Sequence, residues 1–310
     1  MLTKYSTSRR KFIQGIGLTA IPLIAQSYRP FSENFENKVQ DNHRLLCCNI
    51  RVDLPEDEAK GFGWSGRKET CFQIIKAHRP DIICLQEVLK NQMDDFKKAF
   101  LGFQALGFDG PEMDAHTTGY HGIAKNPIMY SSDRYELLSA GGFWLSETPL
   151  AAGSKSWDTN RARHVNWVRL KDKKTSKDFR VLNLHLDHKS QLAREMQTDL
   201  VLQEATQYPK DYPQILAGDF NASAENEVYK NIISSGWEDT YTTVHGNAEP
   251  GYTVHLFQGD KYAKKDQGKK IDFVFAKGAA NSIKSDIIRD HVNGKYPSDH
   301  YFVSAEIKLT

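Results

Sequence analysis

The chain has 310 residues, of which 39% are hydrophobic and 26% are charged, so it can bury a large core as one α/β domain. Residues 1–25 hold four of the 41 basic groups and no acid, which leaves 37 basic groups against 39 acidic ones in the remainder. The resulting net charge of −2 argues against a nucleic-acid-binding protein that depends on bulk positive charge.

The first 25 residues have the pattern of a twin-arginine export signal. Arg9 and Arg10 precede an apolar segment over residues 16–25, which is shorter than the about 20 residues that a membrane-spanning helix needs. A basic segment followed by a modest apolar one is typical of an export signal, and an ordinary basic amphipathic helix is the alternative. We therefore expect a periplasmic or extracellular protein without a transmembrane anchor in its mature form. Residues 26–42 are polar and aperiodic, which predicts a tether, and one folded domain is expected over residues 43–310.

The folded domain begins with a predicted β-α-β unit. The spacing of apolar residues predicts a strand over 44–51, a helix over 66–79 that a proline ends, and a second strand over 81–87. Asn49 lies near the end of the first strand, and Glu87 ends the second. Both strands therefore finish with an oxygen-bearing polar side chain.

The middle of the chain contains one helix, a long loop and several strands. Helical spacing over 91–100 is followed by a loop over 107–126 that is rich in glycine and histidine. Strands are predicted over residues 127–131, 135–139, 143–145, 164–170 and 179–186. The lysine-rich segment between the last two strands is interpreted as the solvated tip of a hairpin.

The last third of the chain starts with the longest amphipathic helix. It is predicted over 191–208, with Leu192, Met196, Leu200 and Ala205 on its buried side. A strand over 214–219, a helix over 225–233 and strands over 271–275, 282–287 and 302–307 follow. Two strand-rich halves with helices between their strands predict two packed sheets with helices outside.

The four cysteines are Cys47, Cys48, Cys71 and Cys84, and all lie in apolar patterns. Cys47 and Cys48 would point to opposite faces of one strand, so they cannot jointly bind a metal ion with the usual spacing. We expect buried free thiols, with a disulfide at Cys84 as the alternative.

Acid, amide or imidazole groups lie at the ends of several predicted strands. A polar group directly after or before an apolar strand lies at the edge of the sheet, where a site can form. The residues in question are Glu87, His185, Asp187, Asp219, Asn221, Asp299 and His300. Together they predict a pocket for a metal ion and a phosphate group.

Hydrolysis of a phosphate ester assigns roles to these groups. It needs a cation beside the phosphate oxygens, a base for water and hydrogen-bond donors that stabilise the transition state. Glu87 is the predicted ligand for Mg²⁺, with Mn²⁺ as an alternative, and Asn49 either adds a carbonyl oxygen or orients Glu87. Asp219 is the predicted base. Asn221 and His185 are expected to donate to phosphate oxygens, as is a protonated His300.

The motifs, taken in order, resemble those of the endonuclease/exonuclease/phosphatase superfamily with its deoxyribonuclease-I-like fold. They are Asn49-Ile50-Arg51, Leu85-Gln86-Glu87, His185-Leu186-Asp187-His188, Gly218-Asp219-Phe220-Asn221, Ile271-Asp272-Phe273 and Ser298-Asp299-His300. The stretches over 143–149 and 153–158 are similar to an exported bacterial branch. The resemblance implies an α/β fold, a four-layer α-β-β-α sandwich of two mixed sheets, from about residue 44 to the C-terminus. It also implies that Asp272 orients His300 and that Asp299 lies toward the metal.

The expected function is that of an exported Mg²⁺-dependent phosphoesterase that cleaves P–O bonds by direct attack of water. The expected substrate is a small phosphodiester or phosphomonoester, such as a sugar, inositol or lipid-headgroup phosphate, and the chain is expected to be a monomer. A secreted nuclease is the second interpretation, with nucleic acid as the less favoured partner. A binding protein without turnover is the third.

The sequence leaves two roles open for several further residues. Asp187 and His188 could contact the ligand or orient loops. Substrate contact and packing are both open for Arg51, Arg67, Trp157 and Arg163. Four histidines lack a shared metal-ligand spacing and are left out of the metal site, namely His116, His121, His245 and His255.

Overall fold

Two mixed sheets of six strands each form the centre of the protein in this computed structural model, which describes residues 41–107 and 124–310. The export signal predicted over residues 1–25 and nearly all of the tether predicted over 26–42 lie outside the described residues. So does most of the glycine-rich loop predicted over 107–126. These three predictions therefore stay predictions.

The first sheet has the strand order β11-β12-β1-β2-β4-β3. Its strands are β1 (Asn42–Asn49), β2 (Ile82–Gln86), β3 (Phe103–Leu106), β4 (Ile128–Ser131), β11 (Ala280–Ile288) and β12 (Phe302–Leu309). β1 and β2 are parallel, and Asn49 pairs with Gln86. Asn49 and the next residue after β2, Glu87, therefore lie at the same edge of the sheet.

The second sheet has the strand order β5-β6-β7-β8-β10-β9. Its strands are β5 (Tyr135–Trp144), β6 (His164–Asp172), β7 (Asp178–His185), β8 (Gln214–Asp219), β9 (Glu238–Asp239) and β10 (Asp272–Lys277). Asp219 pairs with His185 on parallel β7 and with Asp272 on antiparallel β10. Three residues predicted for the site are thus neighbours across three strands.

The helices are α1 (Pro55–Glu58), α2 (Trp64–Ala77), α3 (Lys90–Ala99), α4 (Gln191–Ala205), α5 (Glu227–Ser234) and α6 (Thr240–His245). Side chains cap three of them. Ser190, Asn226 and Asp239 each accept a backbone N–H in the first turn of α4, α5 and α6. None of the helices in the described part of the chain has the length and apolar character needed to cross a bilayer.

Three clusters of buried apolar side chains define four layers. The central cluster joins the inner faces of both sheets and includes Leu45, Val181 and Val303. A second cluster packs α2 and α3 on the first sheet, and a third packs α4 and α5 on the second sheet. The predicted α-β-β-α sandwich of two mixed sheets is therefore confirmed.

Three local predictions can be compared with the structure. The strands predicted over 135–139 and 143–145 are one strand, β5, which continues through a glycine pair. A Cβ at Gly141 would lie 2.7 Å from the Trp167 ring, so Gly141 permits close packing rather than ending the strand. The buried stripe predicted for α4 is right at Ala205 and wrong at Leu192, which is 53% exposed, while Met196 and Leu200 are half-buried and Val201 is buried. All four cysteines are buried and free, as predicted.

Candidate active site

The strand ends surround a cavity of about 310 Å³. It is lined by five of the residues predicted for the site, namely Glu87, His185, Asp219, Asn221 and His300. The other three, Asn49, Asp272 and Asp299, are buried. Asn49 donates to Asp219, Asp272 pairs with His300, and Asp299 pairs with Arg51, which also lines the cavity. The structure therefore brings together the eight residues to which the sequence analysis assigned a catalytic or metal-binding role.

Asp219 ends β8 at the centre of this arrangement and is 2% exposed. Its Oδ1 accepts the Asn221 N–H at 2.9 Å, and its Oδ2 accepts an amide hydrogen of Asn49 at 3.0 Å. A Cβ at Gly218 would lie 2.3 Å from the Leu184 carbonyl oxygen, so only glycine allows β7 and β8 to pair this closely. Burial, and then the charge of Asp272, raises the pKa of Asp219 above its usual value.

His300 forms an ion pair with Asp272. Its Nδ1 lies 2.9 Å from Asp272 Oδ2, and its Nε2 lies 4.0 Å from Asp219 Oδ2. Although burial opposes protonation, the charge of Asp272 and its hydrogen bond, followed by Asp219, hold the pKa of His300 well above the usual value. This pKa favours the imidazolium form of His300, and Asp272 orients its ring, as the resemblance implies.

His185 differs from His300 in its charge. Burial, and then the positive charge of Arg163, lowers the pKa of His185 well below its usual value, so the imidazole is neutral. Its Nε2 lies 3.0 Å from the Asn221 amide nitrogen, which also donates to the Leu186 carbonyl at 3.1 Å. Both side chains line the cavity, but the predicted donation to phosphate requires Asn221 to exchange one of these internal hydrogen bonds.

Glu87 and Asn49 come from the first sheet and lie beside Asp219. Glu87 Oε2 accepts the Val52 N–H at 2.9 Å, and its Oε1 accepts from the Asn49 amide at 3.3 Å. The Asn49 oxygen accepts the Arg51 N–H at 3.0 Å. In this arrangement Asn49 orients the Glu87 and Asp219 carboxylates, which is one of the two roles predicted for it.

Asp299 lies behind Arg51, one of the residues that line the cavity. Its Oδ2 is 3.4 Å from Arg51 Nη1, and Ser298 donates to its Oδ1 at 3.2 Å. Arg51 also donates to Asp57 through Nε at 2.7 Å. Asp299 thus contacts Arg51, which lines the cavity, but does not line the cavity itself. Its role as a metal ligand stays a prediction.

The acidic groups of the site fit a hard divalent cation. Four carboxylates converge here, from Glu87, Asp219, Asp272 and Asp299, and Asp272 Oδ1 is buried with no hydrogen-bond partner. By distance alone, Asp219, Asp272 and His300 could bind one ion, since their ligand atoms lie within 4.8 Å of one another. Mg²⁺ prefers carboxylate oxygens to a protonated imidazole, and the metal position beside Glu87 stays a prediction.

A basic wall, defined by Arg161, Arg163 and His188, also lines the cavity. Arg163 is 6% exposed, and its Nη2 lies 3.5 Å from His188 Nδ1. Burial, and then Arg163, lowers the pKa of His188. The sequence analysis left the role of Arg163 open and did not name Arg161. The feature of the sequence that could have indicated Arg161 is its position two residues before Arg163, just ahead of a predicted strand.

Two of the undecided residues lie away from the cavity lining. Arg67 is buried and donates to the carbonyl oxygens of Arg51 at 2.6 Å and Pro297 at 2.9 Å, so it links the segments on which the site is built. Trp157 is half-buried with a φ of 56°. Neither is among the residues that line the cavity.

The chain matches the sequence model of the Endonuclease/Exonuclease/phosphatase family over residues 49–300. It is 30% identical to a solved endonuclease/exonuclease/phosphatase from Bacteroides vulgatus, with a TM-score of 0.77 over 87% of this chain and 99% of that one. It is 28% identical to the mannosyl-6-phosphatase Bt3783 of Bacteroides thetaiotaomicron, with a TM-score of 0.76 over 86% and 99% of the two chains. Human Nocturnin is 27% identical over 283 residues, which are 84% of this chain and 61% of Nocturnin. The chain thus spans about three fifths of the length of such curated relatives.

Proposed function

Since the chain belongs to the endonuclease/exonuclease/phosphatase family, whose members hydrolyse phosphoester bonds, we propose that it is a divalent-metal-dependent phosphatase for small phosphate monoesters. A sugar phosphate is the first substrate to test, because the mannosyl-6-phosphatase is among its similar solved structures.

The observation that supports a monoester is the basic wall, which lines the same cavity as the acidic residues. Arg161 and Arg163 line the cavity together with Glu87 and Asp219. Guanidinium groups bind phosphate oxygens with paired, charge-assisted hydrogen bonds. A terminal phosphate carries up to two negative charges and a diester carries one, so two arginines favour the terminal group.

The residues divide the chemical work between them. Asp219 is the proton acceptor for the attacking water, and the hydrogen bonds from Asn49 and Asn221 fix its orientation. His300 contributes a positively charged donor whose orientation is set by Asp272. A divalent ion bound beside Glu87 and Asp219, Mg²⁺ or Mn²⁺, would neutralise phosphate oxygens and polarise the P–O bond.

A substrate panel tests this function. Purified protein would be incubated with Mg²⁺, with Mn²⁺ or with EDTA, and with mannose 6-phosphate, glucose 6-phosphate, an inositol phosphate, phosphocholine, bis(p-nitrophenyl) phosphate, single-stranded DNA and RNA. We expect phosphate release from at least one monoester, with little cleavage of the diester or the nucleic acids, and EDTA should abolish it. Preferential cleavage of DNA or RNA would replace the proposal with a nuclease. Binding of a phosphate compound without turnover of any would indicate a binding protein.

A further inference from the structure

The loop that carries the two arginines of the basic wall has a strained turn. Trp157 and Asp158 both have a φ of 56°, a left-handed conformation that non-glycine residues seldom adopt. Arg161 and Arg163 follow within a few residues and line the cavity. Something outside the loop must therefore stabilise this conformation.

Asp187 supplies that support from the end of β7. Its Oδ1 accepts the Asn160 N–H at 2.9 Å, and its Oδ2 accepts the N–H groups of Lys189 at 2.9 Å and Ser190 at 2.7 Å. The side chain is fully buried. One carboxylate thus joins the loop over residues 157–163 to the two residues that precede α4.

Two more hydrogen bonds join the same segments. Gln197, buried on α4, donates to Thr159 Oγ1 at 3.2 Å, and its carbonyl accepts the Asp187 N–H at 3.0 Å. Ser190 Oγ donates to the Trp157 carbonyl at 2.8 Å. The loop is therefore tied to β7 and α4 at three of its residues, all of which precede Arg161.

We propose that Asp187 is a positioning residue that holds the loop over 157–163 so that Arg161 and Arg163 face the substrate phosphate. It acts through Asn160 and does not touch the ligand, since its carboxylate is buried behind the cavity. The inference rests on the proposed function in that the basic wall binds a phosphate group. It decides between the two roles that the sequence left open for Asp187.

The test is Asp187→Asn. The amide keeps one acceptor oxygen, which can serve Lys189 and Ser190, but its NH₂ group then faces the Asn160 N–H and repels it. We expect the Michaelis constant for the best monoester and the dissociation constant for inorganic phosphate to rise about 10- to 100-fold, because small displacements of positioning groups have effects of this size. The turnover number should change much less, because the arginines are expected to bind the substrate and the transition state equally well.

Asp172→Asn is the matched control. Asp172 is also fully buried and accepts a backbone N–H, from Lys174 at 2.8 Å, but it lies at the other end of the β6–β7 hairpin. It should lower the melting temperature and leave both constants unchanged. If Asp187→Asn does not fold, Gln197→Met removes the Thr159 bond and should raise both constants in the same direction by a smaller factor.

Folded Asp187→Asn protein with wild-type phosphate affinity would overturn the proposal. So would equal losses of affinity in Asp187→Asn and Asp172→Asn, because general destabilisation would then explain both. Phosphate binding, measured by titration calorimetry, needs no turnover. If wild-type protein binds phosphate, the Asp187 variant binds it weakly and no ester is cleaved, the positioning role stands and the proposed hydrolysis fails.

Discussion

Three side chains that line the cavity belong to residues with a left-handed backbone. Arg51, Glu87 and Asn221 have φ values of 60°, 64° and 49°. Such a conformation costs of the order of 1 kcal/mol or more for a non-glycine residue, and it persists where surrounding contacts enforce it. Here side-chain oxygens of Asn49 and Asp219 accept the backbone N–H groups of Arg51 and Asn221. The site residues therefore hold one another's backbone in place.

At this scale the first prediction concerns Glu87→Gln. The amide oxygen can still accept the Val52 N–H, but the charge that would hold Mg²⁺ is lost. The Mg²⁺ concentration for half-maximal activity should rise about tenfold or more, while the melting temperature changes little. Glu136→Gln, an exposed acid on β5, is the control. An unchanged Mg²⁺ requirement would remove Glu87 from the metal site.

Among the elements, α4 shows that a buried polar residue can make a helix face predicted from apolar residues alone incorrect. Its buried positions include Ala193, Gln197, Val201 and Ala205, which are four residues apart. The stripe predicted from Leu192, Met196 and Leu200 ignored Gln197, because a glutamine is normally exposed. Gln197 is buried because it bonds Thr159 and the Asp187 backbone, and this contact depends on tertiary structure.

The corrected stripe predicts the stability of two variants of α4. Val201→Ala removes about two buried methylene equivalents and should lower the free energy of unfolding by about 2 kcal/mol. Leu192→Ala removes a side chain that is 53% exposed and should change it by about 0.5 kcal/mol or less. Urea unfolding of both variants measures the difference. A larger loss for Leu192→Ala would contradict the position of the helix.

A buried histidine on β1 gives a pH-dependent prediction for the packing of the sheets. His43 Nδ1 lies 2.7 Å from the Tyr135 hydroxyl of β5. Burial, and then the charge of Arg134, lowers the pKa of His43 to about 4. The unfolded chain takes up this proton near pH 6.5 and the folded chain does not, so stability is complete above pH 6.5 and falls as the pH approaches 4.

The His43 contribution should amount to about 3 kcal/mol over that interval. His43→Gln keeps a partner for Tyr135 but cannot titrate. Its unfolding free energy should therefore fall less steeply than that of the wild type between pH 6.5 and 4, by up to about 1.4 kcal/mol per pH unit. Parallel curves for the two proteins would show that His43 does not take part.

The strand ends that carry the site were predictable from the sequence, whereas the continuous course of β5 and the position of the loop residue Arg161 were not. An apolar run followed by Asp219 or Glu87 marks a strand end by local pattern alone. β5 was divided in two because glycines usually interrupt strands, and the Trp167 ring that requires Gly141 comes from the next strand. Arg161 lies in a loop without periodicity, so only the folded loop shows that it lines the cavity.

For the molecule as a whole, the site exists because two sheets pack face to face. Asn49 and Glu87 come from the first sheet, whereas His185, Asp219 and Asp272 come from the second. Beneath them, Gln86 donates to Asn183 at 2.6 Å, and Asn183 donates to the Leu85 carbonyl at 2.8 Å. These buried amides fix the register between the sheets, because an unpaired polar group there would be costly.

At the same scale, we propose that the protein is exported through the twin-arginine route. The support is the Arg9–Arg10 pair before a weak apolar segment. Replacing both arginines with lysine keeps the charge but should leave the protein inside the cell, as measured by fractionation. Lys4→Arg is the charge-matched control. Unchanged localisation of the double variant would contradict the proposal.

Asp219→Asn tests the central claim, that this cavity hydrolyses phosphate esters with Asp219 as the base. The substitution keeps the shape of the side chain and removes its ability to take a proton from water. The turnover number for the best substrate should fall about 10²- to 10⁴-fold. The new NH₂ group replaces one of the two oxygens that accept from Asn49 and Asn221, so the melting temperature should fall, but the variant should still fold. A folded Asp219→Asn protein with near-normal turnover would contradict the account.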